Sequence, residues 1–133
     1  MPHVLRLHPE HRLAVVAFSG VVDEAEAFVA TGELVLHQAQ AAQLDVVWDG
    51  RAVERVDASP SAEERVAAVG GHLDEYLGEG RSAVLLRPGA DAETALLLGG
   101  LGWGHPGREV RTFDDAAGVA AWLGVPPEVI DEA

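Results

Sequence analysis

The amino-acid sequence predicts an α/β protein with a mixed sheet of about five strands and about four helices, in the order ββαβαβαβα. Three observations predict this class. Short apolar stretches alternate with amphipathic helical stretches after an N-terminal hairpin. The chain has 133 residues, the size of one domain. Its composition, 48% hydrophobic and 23% charged, is that of a globular protein with a buried core.

The first two elements are predicted strands. HVLRLH at 3–8 alternates apolar and polar residues, and RLAVVAFSG at 12–20 is more continuously apolar. Pro9, Glu10 and His11 lie between them and favour a turn. We therefore expect a hairpin whose second strand is the more buried.

A helix is predicted over residues 23–43. Asp23 and Glu26 have the spacing of a capping box at its start. Gly32 lies in the apolar stripe, where it either allows close packing or marks a break in the helix. The residues expected on the buried face are Phe28, Val29, Gly32, Val35, Leu36 and Ala39.

The rest of the chain alternates strands with helices, so parallel pairing through right-handed crossovers is expected. Helices on one face or on both faces of the sheet fit this order equally. The predicted elements are a strand at 44–49, a loop at 50–61, a helix at 61–80, a strand at 81–88, a helix at 91–103, a strand at 109–113 and a helix at 114–124. In the last helix Ala116, Val119, Ala120 and Leu123 should face inward, with Trp122 anchoring the helix beside them. Residues 1–125 then form one domain and 126–133 an acidic tail.

Composition excludes several classes of site. Cysteine is absent, so disulfide and thiolate sites are impossible. The formal charge of −13 disfavours nucleic acids and anionic lipid surfaces. No apolar run reaches the length of about 20 residues that a membrane helix needs. The apolar run at 13–22 suits a buried strand better than a signal peptide. We expect a cytoplasmic protein that is not inserted in a membrane.

The glycine run GWGHPG at 102–107 spells G-x-G-x-x-G. That pattern binds a dinucleotide only between a preceding strand and a following helix. Here the order is reversed, because a predicted helix precedes the glycines and a predicted strand follows them. A helix end and a turn therefore explain the run, and no NAD, ATP or other cofactor is expected.

Metal and catalytic sites are not predicted either. The six histidines include no pair at the spacing of H-x-x-x-H, and we expect them on the surface or in turns. His3 and His8 should point to opposite faces of their strand, because their separation is odd. The sequence contains no G-x-S-x-G nucleophile motif. No catalytic residue is therefore predicted.

The carboxyl end of the strand at 44–49 is the best binding site by position, because ligands of parallel sheets bind at that edge. Asp49 ends the predicted strand, and Asp57 lies in the predicted loop, where the two carboxylates could meet. Either Ser59 caps the following helix with Pro60 at its first position, or Ser61 caps it. The candidate regulatory or binding loop is Asp49, Arg51, Asp57, Ser59 and Ser61.

The segment WDGRAVERVDASP at 48–60 resembles the signature of STAS domains, the fold of SpoIIAA-type anti-sigma-factor antagonists. Asp49 matches the acid at the strand end of that family. The run 56–59 matches its hydrophobic-Asp-Ser-Ser motif, so Ser59 falls on the serine that is phosphorylated in such antagonists. The departures are Ala58 in place of the first serine and Pro60 in place of the glycine.

Most of the chain is similar to the SpoIIAA-like branch, often called STAS/SEC14-like. The shared features are Asp49-Gly50-Arg51, a strand beginning Arg81-Ser82-Ala83-Val84, and Phe113-Asp114-Asp115-Ala116 followed by Ala121-Trp122-Leu123. The resemblance implies a small sheet flanked by helices and a non-enzymatic binding or regulatory module. The alternatives are a Ser59 phospho-switch acting as an anti-sigma-factor antagonist and a carrier of a small apolar ligand. The partner would be a protein or a small apolar ligand, and the related proteins suggest a homodimer.

Overall fold

The computed structural model describes residues 3–38, 45–57, 80–90, 92, 94 and 108–131. Its elements are β1 (His3–His8), a 3₁₀ turn (Pro9–His11), β2 (Leu13–Asp23), α1 (Glu24–Gln38), β3 (Asp45–Asp57), β4 (Gly80–Leu85), β5 (Arg108–Phe113), α2 (Ala116–Leu123) and α3 (Pro127–Asp131). The predicted helix at 61–80 and the glycine run lie outside the described residues. Of the predicted helix at 91–103, Ala92 and Thr94 are helical.

The five strands form one mixed sheet in the order β1-β2-β3-β4-β5. β1 and β2 are antiparallel, and β2 through β5 are parallel. Each strand therefore lies beside its neighbour in the chain, and β1 and β5 are the two edges. The α/β class and the mixed five-stranded sheet predicted from the sequence are confirmed.

The N-terminal hairpin has the predicted first strand but a longer second strand. Arg12 adopts a left-handed conformation with a φ of 51° and closes the turn by donating its N–H to the carbonyl of Pro9 at 3.1 Å. β2 continues to Asp23. Two shifts in its register with β3 make this possible, and Gly20, with a φ of 68°, lies at one of them.

β3 also extends past its predicted end, so the prediction of a loop over 50–57 is wrong. The strand pairs with β4 only as far as Asp49, and then continues beside β2 alone to Asp57. Val53 and Val56 are buried there, while Glu54 and Arg55 are exposed. The register shift separates the two valines by three positions instead of two, which hides the alternation of a half-buried strand.

Two apolar layers cover the two faces of the sheet. One layer packs under α1 and centres on Trp48, which is fully buried, while the other packs under α2 and α3. The central parallel strand is apolar on both faces, as predicted. Its alternate residues Val46 and Trp48 belong to the first layer, and Val47 belongs to the second. Helices therefore cover both faces.

The buried face of α1 agrees only in part with the prediction: Phe28 is half-buried against the first layer, and the side chains of Val35, Leu36 and Ala39 lie outside the described residues. Ala27, Ala30 and Leu34 are buried, whereas Val29 is 53% exposed and Gly32 is exposed. Gly32 does not break the helix, and no described residue packs closely against it, since none lies within 4 Å of a Cβ built there. The small alanines face the sheet because they allow the helix to approach it closely, and this outweighs the larger hydrophobicity of Val29.

The start of α1 and the last helix agree with the sequence. Asp23 accepts the main-chain N–H of Glu26 at 2.8 Å, as a capping residue does. Ala116, Val119, Ala120 and Leu123 are all buried, as predicted. The stretch expected to be an acidic tail contains α3, whose Val129 and Ile130 are buried against the same layer.

Trp122 is half-buried at the rim of the second layer instead of lying fully in the core. Its ring centroid lies 5.5 Å from that of Phe113. The guanidinium carbons of Arg81 and Arg111 lie 5.5 Å and 5.3 Å from the same centroid. The ring is therefore held by one aromatic contact and two cation–π contacts.

We predict that Asp115→Ala destabilises the protein by about 0.5–2 kcal/mol, because Asp115 caps α2. Its carboxylate accepts the main-chain N–H of Gly118 at 2.7 Å. The matched control is Asp114→Ala, which removes an adjacent exposed carboxylate that does not cap the helix. Urea unfolding of the two variants measures the difference. Equal losses of stability would contradict the capping role.

Candidate functional site

The carboxyl ends of the parallel strands meet along one edge of the sheet. Asp49 pairs in register with Leu85, and Leu85 with Phe113, so the last paired residues of β3, β4 and β5 lie side by side. The sequence predicted that the strand ends at Asp49. Instead β3 continues past Asp49, and only its pairing with β4 stops there. This edge is the position at which parallel sheets bind ligands.

Asp49 and Arg51 form a two-point ion pair at this edge. Arg51 donates from Nε to Oδ1 at 3.1 Å and from Nη2 to Oδ2 at 2.9 Å, and its main-chain N–H donates to Oδ1 at 3.0 Å. Asp49 is 7% exposed, so its charge is nearly desolvated and both oxygens are satisfied by one neighbour. Two residues of β3, Gly50 and Arg51, face the single residue Phe18 of β2 here, which marks a bulge.

Arg51 also joins this edge to the C-terminal helix. Its Nη1 donates to Oδ1 of Asp131 at 2.6 Å. Hydrogen bonding to Asp49, and then to Asp131, outweighs burial and raises the pKa of Arg51 above its ordinary value. The guanidinium therefore stays charged, and three of its five N–H donors bind the protein's own carboxylates.

A cleft of about 520 Å³ opens beside this ion pair, at the ends of β4 and β5. One wall is a turn in which Ala90 donates its N–H to the carbonyl of Arg87 at 3.1 Å, and Gly89 supplies the required φ of 80°. In the part of the chain that the structure describes, Arg87 and Asp114 have no ion-pair partner. The lining residues are Leu86, Arg87, Pro88, Gly89, Ala90, Thr112, Phe113 and Asp114.

The predicted site residues are only partly brought together. Asp49 and Arg51 are in contact, but Asp57 lies at the far end of β3, roughly 25 Å along an extended strand. The expectation that the carboxylates of Asp49 and Asp57 could meet is therefore wrong, because β3 continues between them. Asp57 is exposed and pairs in register with Asp23. Ser59 and Ser61 lie outside the described residues.

A second arginine, Arg81, connects β4 to β3 and to α2 at the amino ends of the parallel strands. This role was not predicted from the sequence. Arg81 donates from its main-chain N–H and from Nη2 to the carboxylate of Asp45, at 2.9 Å and 3.0 Å. Its Nη1 and Nη2 also donate to the carbonyls of Trp122 and Leu123, at 2.6 Å and 3.3 Å. A cation at the C-terminal carbonyls of a helix is stabilising.

Two of the histidines expected on the surface, His3 and His8, are buried. His3 is 3% exposed; its Nε2 lies 2.9 Å from Oε2 of Glu33, and its Nδ1 contacts Oε1 of Glu26. Because a carboxylate only accepts, a ring with a carboxylate at each nitrogen is doubly protonated. Burial alone would lower the pKa of His3, but hydrogen bonds to Glu33 and Glu26 outweigh it and raise the pKa above 6.5.

This cluster does not form a metal site. The two ring nitrogens of His3 point in different directions, each to its own carboxylate, so they cannot converge on one ion. No group of metal-ligating side chains is found among the residues that the structure describes. The cluster instead fastens the edge strand β1 to α1.

Comparisons with protein-family models, with curated proteins and with solved structures find no match to this chain. Within the described ranges, no helix is long and apolar enough to cross a membrane.

We predict that Arg51→Ala costs about 1.5–3 kcal/mol of stability, because it leaves the buried carboxylate of Asp49 without its charged partner. Asp131→Ala is the matched control, since it removes only the exposed end of the same network and should cost less than about 1 kcal/mol. Urea unfolding at neutral pH measures both values. A loss for Asp131→Ala as large as that for Arg51→Ala would contradict this ranking.

We predict that the contribution of His3 to stability declines as the pH rises. Its folded pKa is raised above the unfolded value of 6.5, so its stabilisation is complete below that value and is lost as the pH passes the folded pKa. Urea unfolding measures the free energy of unfolding of wild type and of His3→Gln from about pH 5.5 to about pH 9. The difference between the two free energies should become smaller as the pH rises. A difference for His3→Gln that widens with pH would contradict the protonated state.

Proposed function

We propose that the protein is a non-enzymatic binding or regulatory module of the STAS-like kind, and that it binds a protein partner at the carboxyl edge of its sheet. The observation that carries the proposal is the contrast between two neighbouring charge groups at this edge. Arg51 is ion-paired with Asp49 and Asp131, whereas Arg87 and Asp114 line an open cleft with no ion-pair partner within the described ranges.

The ion-paired group of Asp49, Arg51 and Asp131 supports binding by making the carboxyl edge rigid. Arg51 joins β3 to α3, so the strand end and the C-terminal helix keep a fixed relative position. A partner that docks beside them loses little free energy in ordering this surface. The Arg51 guanidinium is better suited to positioning the neighbouring surface than to contacting the partner itself, because three of its five N–H donors already bind the protein's own carboxylates.

The open cleft supplies the contacts that a partner needs. Arg87 and Asp114 offer opposite charges, the half-buried ring of Phe113 offers apolar surface, and Thr112 offers a hydroxyl. Such a mixture suits a polar segment of a protein with charges in the complementary order. It suits a small apolar ligand less well, because both charges would face that ligand without a partner.

The phospho-switch at Ser59 remains a prediction from the family resemblance. Ser59 lies outside the described residues, so its distance from the cleft carries no argument. Mass spectrometry of the protein purified from its native cell would detect a phosphate on Ser59. The edge-binding proposal does not require that phosphate.

The test is quantitative affinity capture from the native cell with three versions of the chain. Wild type should enrich a protein partner that Arg87→Glu captures at least about tenfold less, a difference of about 1.4 kcal/mol. The matched control is Arg55→Glu, which makes the same charge change at an exposed arginine of β3 away from the cleft. A partner captured equally by all three, or no protein enriched by wild type under cross-linking, would contradict the proposal.

A further inference from the structure

The exposed apolar side chains concentrate at one edge of the sheet. Four large apolar residues are substantially exposed in the described part of the chain, namely Val4 at 54%, Leu7 at 38%, Val21 at 42% and Val29 at 53%. Val4 and Leu7 belong to β1, which is the edge strand. Val4 and Leu7 are three positions apart and so lie on opposite faces of β1, which means that the edge strand exposes apolar side chains on both faces of the sheet.

Val29 extends this group onto α1. Glu26 and Glu33 both reach His3, so the flank of α1 that carries them faces the β1 edge. Positions 26, 29 and 33 follow the i, i+3, i+7 spacing of one helix side. Val29 therefore lies on the flank beside β1, between the two glutamates. Val4, Leu7 and Val29 together are the β1 edge surface.

The strand at the other edge of the sheet, β5, exposes polar instead of large apolar side chains in its described part. β5 exposes Glu109, Arg111 and Thr112, and such charged side chains protect an edge strand against pairing with another chain. β1 contains none of the 22 acidic residues of the chain. Its two cations are held within the molecule: His3 by Glu26 and Glu33, and Arg6 by donating from Nη2 to the carbonyl of Ile130 at 3.1 Å. Among the residues that the structure describes, β1 therefore presents an open edge without that protection.

We propose that β1 pairs with β1 of a second copy of the chain, antiparallel and across a two-fold axis perpendicular to the sheet. The two sheets would then join into one sheet of ten strands. Because such an axis keeps each face of the sheet on its own side, residues opposite each other must share a face. Residues of one strand that share a face are an even number of positions apart, so the residue numbers of two directly opposed residues must add up to an even number.

One register fits the side chains best. Centring the axis on Arg6 would place two arginines directly opposite each other, which is unfavourable. Centring it on Leu5 places Leu5 opposite Leu5 of the second copy. Val4 then meets the aliphatic part of Arg6, and His3 meets Leu7. This register covers both exposed apolar residues of β1 and avoids any like-charge pair along the strand.

The helices complete the interface. A short strand pair is small compared with the 1,200–2,000 Å² or so that a stable interface buries. α1 packs over β1 and β2, so the two α1 helices would approach each other across the joined strands. Val29 of each copy would be covered there. The carboxylates of Glu26 and Glu33 on the same flank are each held by His3 within their own copy.

The charge of the chain predicts how salt affects this pairing. Each copy carries a formal charge of −13, so two copies repel each other at long range. Salt screens that repulsion, with a Debye length of about 10 Å at 0.1 M. The contacts of the β1 edge surface are mainly apolar and should persist. Dimerisation should therefore strengthen as salt rises.

Sedimentation velocity over a range of concentrations tests the proposal. Wild type should reach twice the mass of one chain, and the dissociation constant should fall as salt rises from about 0.05 M to about 0.5 M. Val4→Lys and Val29→Lys should each weaken the dimer at least about tenfold, because each places a charge in the apolar interface. The matched control, Val21→Lys, alters an equally exposed valine away from β1 and should leave the dimer unchanged. Circular dichroism confirms that each variant is folded.

A second measurement fixes the register. The chain has no cysteine, so Leu5→Cys introduces a single thiol at the proposed axis. Directly opposed Cβ atoms lie about 4.5–5.5 Å apart, close enough for a disulfide after a small adjustment. Mild oxidation should link Leu5→Cys dimers and leave Val21→Cys monomeric on denaturing gels. A concentration-independent monomer mass for wild type, or a dimer that Val4→Lys and Val29→Lys leave intact, would overturn the proposal.

Discussion

The carboxylate of Asp49 is the constraint on which the carboxyl edge of the sheet depends. It lies where β3 stops pairing with β4 and where a bulge lets β3 continue beside β2 alone. A nearly buried carboxylate requires strong donors. Arg51, two positions further along the same strand, supplies three of them: its main-chain N–H, its Nε and its Nη2. The bulge, the ion pair and the end of the β3–β4 ladder are therefore one structural feature.

Arginine side chains fasten the C-terminal helices to the sheet in this acidic chain. Arg6 reaches the carbonyl of Ile130, Arg51 reaches Asp131, and Arg81 reaches the last carbonyls of α2. The chain has nine basic residues against 22 acidic ones, and at least three of the nine have these internal roles. Arg87 lines the cleft and has no ion-pair partner among the residues that the structure describes.

The sequence predicted those elements whose apolar pattern is regular. The alternation of 3–8 and the stripe of the last helix predict β1 and the buried face of α2. The length of β3 was not predictable, because a second register shift, opposite Gly20 and Val21, changes the spacing from Val53 to Val56 and conceals the strand. The face of α1 was not predictable from hydrophobicity, because close approach of small alanines and the hydrogen bonds of His3 decide which side is buried.

The candidate site was also predicted only in part: Asp49 and Arg51 were named from the sequence, but Asp131 and the cleft were not. Asp49 was identified by its position at the predicted strand end, and Arg51 by the Asp-x-Arg motif of the family that the sequence resembles. Pairing of Arg51 with Asp131 spans 80 positions along the chain, and no local pattern reports it. The cleft between Arg87 and Asp114 depends on β4 lying beside β5, so it could be recognised only once the strand order was known.

NMR of the arginine side chains tests the role of Asp49 most directly. The Nε–H of Arg51 donates to a nearly buried carboxylate, whereas Arg55 on the same strand is exposed. The Arg51 Nε–H should exchange with water at least about tenfold more slowly than that of Arg55, because exchange requires the hydrogen bond to open. Asp49→Asn should remove that difference. Equal exchange rates for Arg51 and Arg55 in the wild-type protein would show that the ion pair does not hold the edge together.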